Sequence, residues 1–156
     1  MRYPLDEILD KRSIILLKIE RVKNEELKER LWKEFSDYTI AIWKFIEEGF
    51  CKIEQIEEWH QELYEANGKI WDLESDIRKG KENELGLEEV GRRAIMIRQI
   101  NGTRVAVKSK IVELTGTGYK YIKIDHGSAE AQKDYLSNQN LNKNLPPPVN
   151  PATLLR

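Results

Sequence analysis

Apolar positions recur at helical spacing in four blocks. Leu5, Ile8, Leu9, Ile15, Leu16, Ile19 and Val22 form the first, and Pro4 suits a first turn where no amide hydrogen bond is lost, so a helix is expected over about residues 4–23. Leu27, Leu31, Phe35, Tyr38, Ile42 and Phe45 step by threes and fours and stop at Gly49, which predicts a second helix over about 25–48. Ile53, Ile56, Leu63, Ile70 and Ile77 predict a third over about 51–79, broken by the polar, glycine-bearing stretch 79–86. Beyond Gly86, Glu88 and Glu89 set negative charge at a helix start, and Val90, Ala94, Ile97, Ile111 and Leu114 carry a fourth helix over about 87–115.

Gly116 and Gly118 are expected to end that helix. Residues 119–125 alternate apolar and basic side chains in part and favour a short strand, which needs an edge to pair with. One short helix capped by Ser128 is expected after His126, and Pro146-Pro147-Pro148 and Pro151 then suggest an extended arm. The expected fold is all-α: an antiparallel bundle of about four helices over 1–118, a strand over 119–125 and a polar arm over 126–156.

Composition narrows the class. The 156 residues suit one domain, and 40% hydrophobic against 34% charged residues imply a thin core under a large solvated surface. No apolar run is long enough to cross a membrane, and Met1-Arg2-Tyr3-Pro4 leads into charged sequence instead of a signal peptide's apolar stretch. Cys51 is the single cysteine, which excludes an internal disulfide or a zinc cage and suits a reducing, cytoplasmic setting.

The net charge of −1 conceals segregation. Residues 24–76 carry fifteen acidic and six basic side chains, whereas 77–123 carry five and eleven. If these segments lie side by side, their fields largely cancel. Nucleic acid is therefore not an expected partner, despite Arg92, Arg93, Arg98, Arg104, Lys108 and Lys110 on the fourth helix.

Polar residues intrude on stripes that a bundle normally buries. Ile53, His60, Asn67 and Glu74 form one heptad series; Val90, Ile97, Arg104 and Ile111 run beside Ala94, Asn101 and Lys108. A hairpin turning near residue 83 pairs positions whose numbers add to roughly 167, setting Glu74 against Arg92 or Arg93, Asn67 against Asn101, and His60 near Arg104 or Lys108. A buried polar group needs a partner, so such pairs either fix register or line a pocket for a small anion. Under the second reading the ligand-binding residues are Asn67, Glu74, Arg78, Arg93, Asn101, Arg104 and Lys108.

The block Ile70-Trp71-Asp72-Leu73-Glu74-Ser75-Asp76-Ile77-Arg78, followed by Asn101-Gly102-Thr103-Arg104-Val105-Ala106-Val107-Lys108, resembles a family of small helical proteins of unknown function, often encoded near sugar-modification genes. Leu9-Asp10-Lys11 with Ile14, Leu16, Lys18 and Arg21 resembles its first helix. The resemblance spans about residues 5–115 and implies a helical domain without assigning chemistry.

Other chemistries find little support. Glu58, Glu62, Glu65, Asp72 and Asp76 share a helical face expected to be solvated instead of metal-bound, His60 and His126 do not suggest a ligand pair, and Thr115-Gly116-Thr117-Gly118 lacks the ending of a phosphate loop. No cofactor is expected. Trp32 and Trp43, eleven residues apart on the second helix, are expected to broaden its buried face, with an interface as the alternative. The preferred function is a non-enzymatic assembly or adaptor module, a homo-oligomer or part of a larger assembly, engaging its partner through Tyr119, Tyr121, Ile122, Ile124, Leu154 and Leu155. The alternative is a bundle that holds a phosphorylated or carboxylated metabolite between the third and fourth helices.

Overall fold

The computed structural model describes residues 2–121, 133 and 135–137. Five helices follow in order: α1 (Leu5–Arg21), α2 (Glu25–Glu47), α3 (Ile53–Arg78), α4 (Glu82–Leu85) and α5 (Leu87–Thr115). The all-α expectation holds, with no strand among the described residues. Tyr119, Lys120 and Tyr121, the described part of the expected strand, are irregular, and the rest of it lies outside the described residues. Residues 133 and 135–137 are helical, and Tyr135 packs against the core; the arm is otherwise outside the described residues.

Local chemistry sets the helix ends. Asn24 caps α2 by accepting the Leu27 amide at 3.0 Å. At its other end the Phe50 amide reaches Phe45 O and the Gly49 amide reaches Ile46 O, a Schellman closure that needs the positive φ of +80° at Gly49. Phe50 folds back edge-on to Phe45 at 5.7 Å, the apolar contact that accompanies this motif. The Gln55 side chain accepts the Lys52 amide at the start of α3, and Lys81 and Gly80 repeat the Schellman pattern at its end. The stretch expected only to break the chain forms the single turn of α4.

The arrangement differs from a simple four-helix array in one respect that governs everything else. Helix α1 packs against α2, α3 and α5, whereas α2 and α3 barely touch. Apolar burial runs round most of α1: Leu5, Ile8, Leu9, Ile15, Leu17 and Ile19 are all buried. Around it close Ile42 and Phe45 from α2, Ile56, Trp59 and Leu63 from α3, and Val107 and Ile111 from α5.

Helices α3 and α5 run in opposite directions. Lys110 faces Glu58, and Arg93 faces Asp76, within two positions of the register expected for the hairpin. At about 1.5 Å per residue α3 and α5 are far longer than α1, so burial ends at Asn67 on α3 and begins at Gly102 on α5. The tip of the hairpin, with half-buried Ile70, Ile77 and Ile97, projects past the core.

We predict that Leu9→Ala, at a fully enclosed position, lowers unfolding stability by about 2–5 kcal/mol, whereas Leu87→Ala, at an 89% exposed one, stays within about 0.5 kcal/mol. Urea unfolding followed by circular dichroism checks both; equal losses would contradict the placement of the core under α1.

Candidate functional site

The principal polar cluster lies where α1, α3 and α5 meet. Asp10 is 2% exposed on the otherwise apolar α1. Arg104 of α5 grips it with both arms of its fork, Nε at 2.8 Å from Oδ1 and NH2 at 2.5 Å from Oδ2. Asn67 of α3 donates to Asp10 Oδ1 and to Ser13 Oγ, both at 2.9 Å, while Ser13 donates to the Asp10 carbonyl. Asn101 orients Arg104 by accepting from its other arm at 3.0 Å. Burial pushes the Asp10 carboxyl up, but the bonds from Arg104 and Asn67 outweigh it and hold the group below its ordinary value.

One turn away along α1 the pattern repeats. Lys108 Nζ lies 2.7 Å from Glu7 Oε1 and 3.8 Å from Asp10 Oδ2. Tyr121 folds back so that its hydroxyl donates to Asp6 Oδ2 at 2.7 Å, with Glu7 Oε1 a second acceptor at 3.1 Å. Burial raises the Asp6 carboxyl, and its other oxygen has no hydrogen-bond partner among the described residues. Gly118 makes the return possible: its φ is +80°, and a Cβ there would stand 2.9 Å from Asp6 Oδ1.

Of the seven residues expected to bind a ligand, the structure therefore gathers Asn67, Asn101, Arg104 and Lys108 and leaves three apart. Glu74 pairs with Arg78 on its own helix at the exposed tip, not with Arg92 or Arg93. Arg93 instead reaches Asp76, Glu89 and the Leu73 carbonyl. Asn67 does not pair directly with Asn101; each serves the Asp10–Arg104 pair from a different side. The partners missing from the sequence reading, Asp6, Glu7, Asp10 and Ser13, all come from α1. Asp6, Asp10 and Ser13 follow one another by four and three on a helix otherwise read for its apolar residues, a spacing that was available as a signal.

His60 is likewise displaced from its expected place near Arg104 or Lys108. It faces α1, with Nδ1 3.2 Å from Arg12 NH1, while Arg12 Nε donates to Thr39 on α2 and its guanidinium lies over the Phe35 ring. These groups line an open cleft of about 410 Å³ between α2 and α3, together with Trp43, Ile46 and Ile56. Burial, aided by the Arg12 charge, lowers the histidine pKa from 6.5 to about 4. The carboxylates expected on a solvated α3 face are largely paired: Glu58 and Glu62 with Lys110, Asp72 with Arg21, and Asp76 with Arg93. Among the described residues no group of three or more potential ligands is placed to hold a metal ion. Cys51 is buried, its pKa pushed up to about 11 by desolvation, so it stays a thiol at neutral pH.

No family model, no curated protein and no solved structure matches the chain. The geometry itself carries the functional reading. Arg104 and Lys108, the cations of the expected anion pocket, already hold carboxylates of α1, which fills the groove between α3 and α5. No helix among the described residues is long and apolar enough to cross a membrane.

Of the expected interface residues, Tyr119 is exposed, whereas Tyr121 turns inward to α1 instead of outward to a partner. Ile122, Ile124, Leu154 and Leu155 lie outside the described residues. Trp32 and Trp43 do not broaden the buried face of α2: they are 48% and 46% exposed, beside Ile40 at 57%.

Two predictions follow from these groups. Arg104→Ala strands the Asp10 carboxylate; because Arg104 keeps 27% of its side chain in solvent, the loss falls at the lower end of the usual range, about 3 kcal/mol. Adding Asp10→Ala should then cost little more, and strict additivity in urea unfolding would refute the pairing. The second concerns His60: below pH 6.5 the unfolded chain binds a proton that the folded chain refuses until about pH 4, so stability falls as pH drops through that window. His60→Phe should remove this part of the slope, and an unchanged slope would place the titration elsewhere.

Proposed function

We propose that this chain is a non-enzymatic assembly module: a rigid helical body that docks a protein partner on the outer face of α2. One observation carries the reading. Trp32, Ile40 and Trp43 stand exposed on α2, and large aromatics are enriched at protein interfaces. Trp43 also borders both the cleft toward α3 and a second groove of about 600 Å³ near Phe50 and Ile53, so the apolar surface extends beyond one helix. The metabolite reading is weaker, because an incoming anion would have to displace Asp10 or Glu7 from Arg104 and Lys108.

The test is a photo-crosslinking amino acid placed at Ile40 and, as a control, at exposed Glu65, in cells of the native host. Covalent protein adducts at position 40 and none at 65 are expected. Equal labelling at both sites, or stabilisation of the purified protein by inorganic phosphate that Lys108→Ala abolishes, would replace docking with the ligand reading.

A further inference from the structure

The outer stripe of α2 is its own complement. Lys28, Trp32, Ser36, Thr39, Trp43 and Glu47 succeed one another at intervals of four, four, three, four and four. Steps of three and four keep these positions along one side of the helix, and the series reads the same from either end. Its chemistry is symmetric as well: small hydroxyl residues at the centre, a tryptophan one turn out on each side, and opposite charges at the two ends.

We infer that α2 pairs with α2 of a second copy of this chain, antiparallel, about a two-fold axis passing between Asp37 and Tyr38. In that register Trp32 of each copy lies opposite Trp43 of the other, Ser36 opposite Thr39, and Lys28 opposite Glu47. A two-fold contact of this kind uses the same patch on both subunits and closes after two copies.

Several features of the single chain fit this occupant. Serine and threonine at the crossing point allow the two helix axes to approach closely, since axial separation follows side-chain size at the contact. The Thr39 hydroxyl is already engaged, accepting from Arg12 and donating to the Phe35 carbonyl, so only its methyl is left to face the second helix. Glu47 is exposed, and among the described residues Lys28 is held by a 3.2 Å pair to Glu25, whose side chain is 82% exposed. Such a surface pair exchanges readily for one at a partly dry interface. The end charges also reject the alternative parallel pairing, which would bring lysine to lysine and glutamate to glutamate. At about 1.5 Å per residue the 23 residues of α2 offer a contact some 35 Å long.

This inference rests on the reading of α2 as a docking face and commits that face to a second copy. Sedimentation velocity on the full chain over a range of concentration tests it. The wild type is expected at twice the 18.3 kDa chain mass. Trp43→Lys, and separately Trp32→Lys, should raise the dissociation constant at least about thirtyfold, as loss of an interface aromatic does. Both positions are solvent-exposed in the single chain, so at concentrations low enough for every chain to be monomeric the melting curves should coincide with that of the wild type. Lys28→Glu and Glu47→Lys should each weaken the dimer about tenfold, and the combined variant should recover wild-type association.

A wild-type chain that stays monomeric at its highest soluble concentration overturns the self-pairing, as does a dimer indifferent to both tryptophan variants or a charge double variant that fails to recover. The docking reading fails separately. If the Ile40 crosslinker captures a protein of a different mass while the purified chain is monomeric, docking stands and the second copy is excluded as the occupant.

Discussion

The buried Asp10 carboxylate is the constraint on which the rest of this structure depends. An ionised group at 2% exposure is tolerable only with its charge opposed and its lone pairs filled. Arg104 of α5 and Asn67 of α3 meet that demand, and Ser13 of α1 steadies Asn67 by accepting its second hydrogen bond. Apolar packing alone would let α1 slide or rotate between α3 and α5 at modest loss, because neighbouring leucines and isoleucines substitute for one another as knobs. A bidentate guanidinium cannot follow such a slip without abandoning the carboxylate. The polar cluster thus selects one register of α1, and the surrounding leucines supply most of the energy.

That arrangement also explains how a chain with segregated charge folds compactly. Basic side chains of α5 turn to acids of its own chain: Arg93 to Asp76, Arg104 to Asp10, Lys108 to Glu7, Lys110 to Glu58 and Glu62. The exposed members of this series contribute at most tenths of a kcal/mol each. Collectively they remove the basic patch that the sequence of α5 advertises. A surface suited to phosphate backbones needs uncommitted cations in a row, and here most of the row faces inward.

Helix positions were legible in the sequence because period, glycine stops and polar breaks all agree; Leu87–Thr115 falls on the expected limits. The hairpin register was legible too, since one short connection fixes the pairing of two long rods. What could not be read was the third body in the groove. Reasoning on two helices set Asn67 against Asn101 and His60 near Arg104 or Lys108, or gave these groups to a ligand, when α1 enters between α3 and α5 and satisfies Asn67, Arg104 and Lys108. Single-helix periodicity says which residues are buried but not against which neighbour. For α1, touched on three sides, it gave less still: Leu17, fully buried, lies off the expected stripe, and Asp6 and Asp10 lie within the buried surface. The strand over 119–125 failed in its described part for a related reason. Tyr121 has strand propensity, but its hydroxyl finds Asp6 and Glu7 only when the chain returns at Gly118 to the start of α1, a tertiary contact that propensity cannot weigh.

Helix α2 stands outside that logic. It meets α1 through Ile42, Phe45 and the Arg12–Thr39 hydrogen bond and leaves α3 almost untouched, so much of its surface, Trp32, Ile40 and Trp43 included, stays exposed. On an unconstrained helical face, solubility alone favours charged residues with high helix propensity. Two tryptophans and an isoleucine there are the costly choice: each is a weaker helix former than lysine or glutamate and each exposes apolar area to water. The remaining residues of the stripe are small at its middle and oppositely charged at its ends, a distribution that a merely tolerated apolar surface has no reason to adopt. The core contacts of α2 specify its place on α1, whereas the symmetry of its outer stripe is what supports the proposed pairing with a second copy.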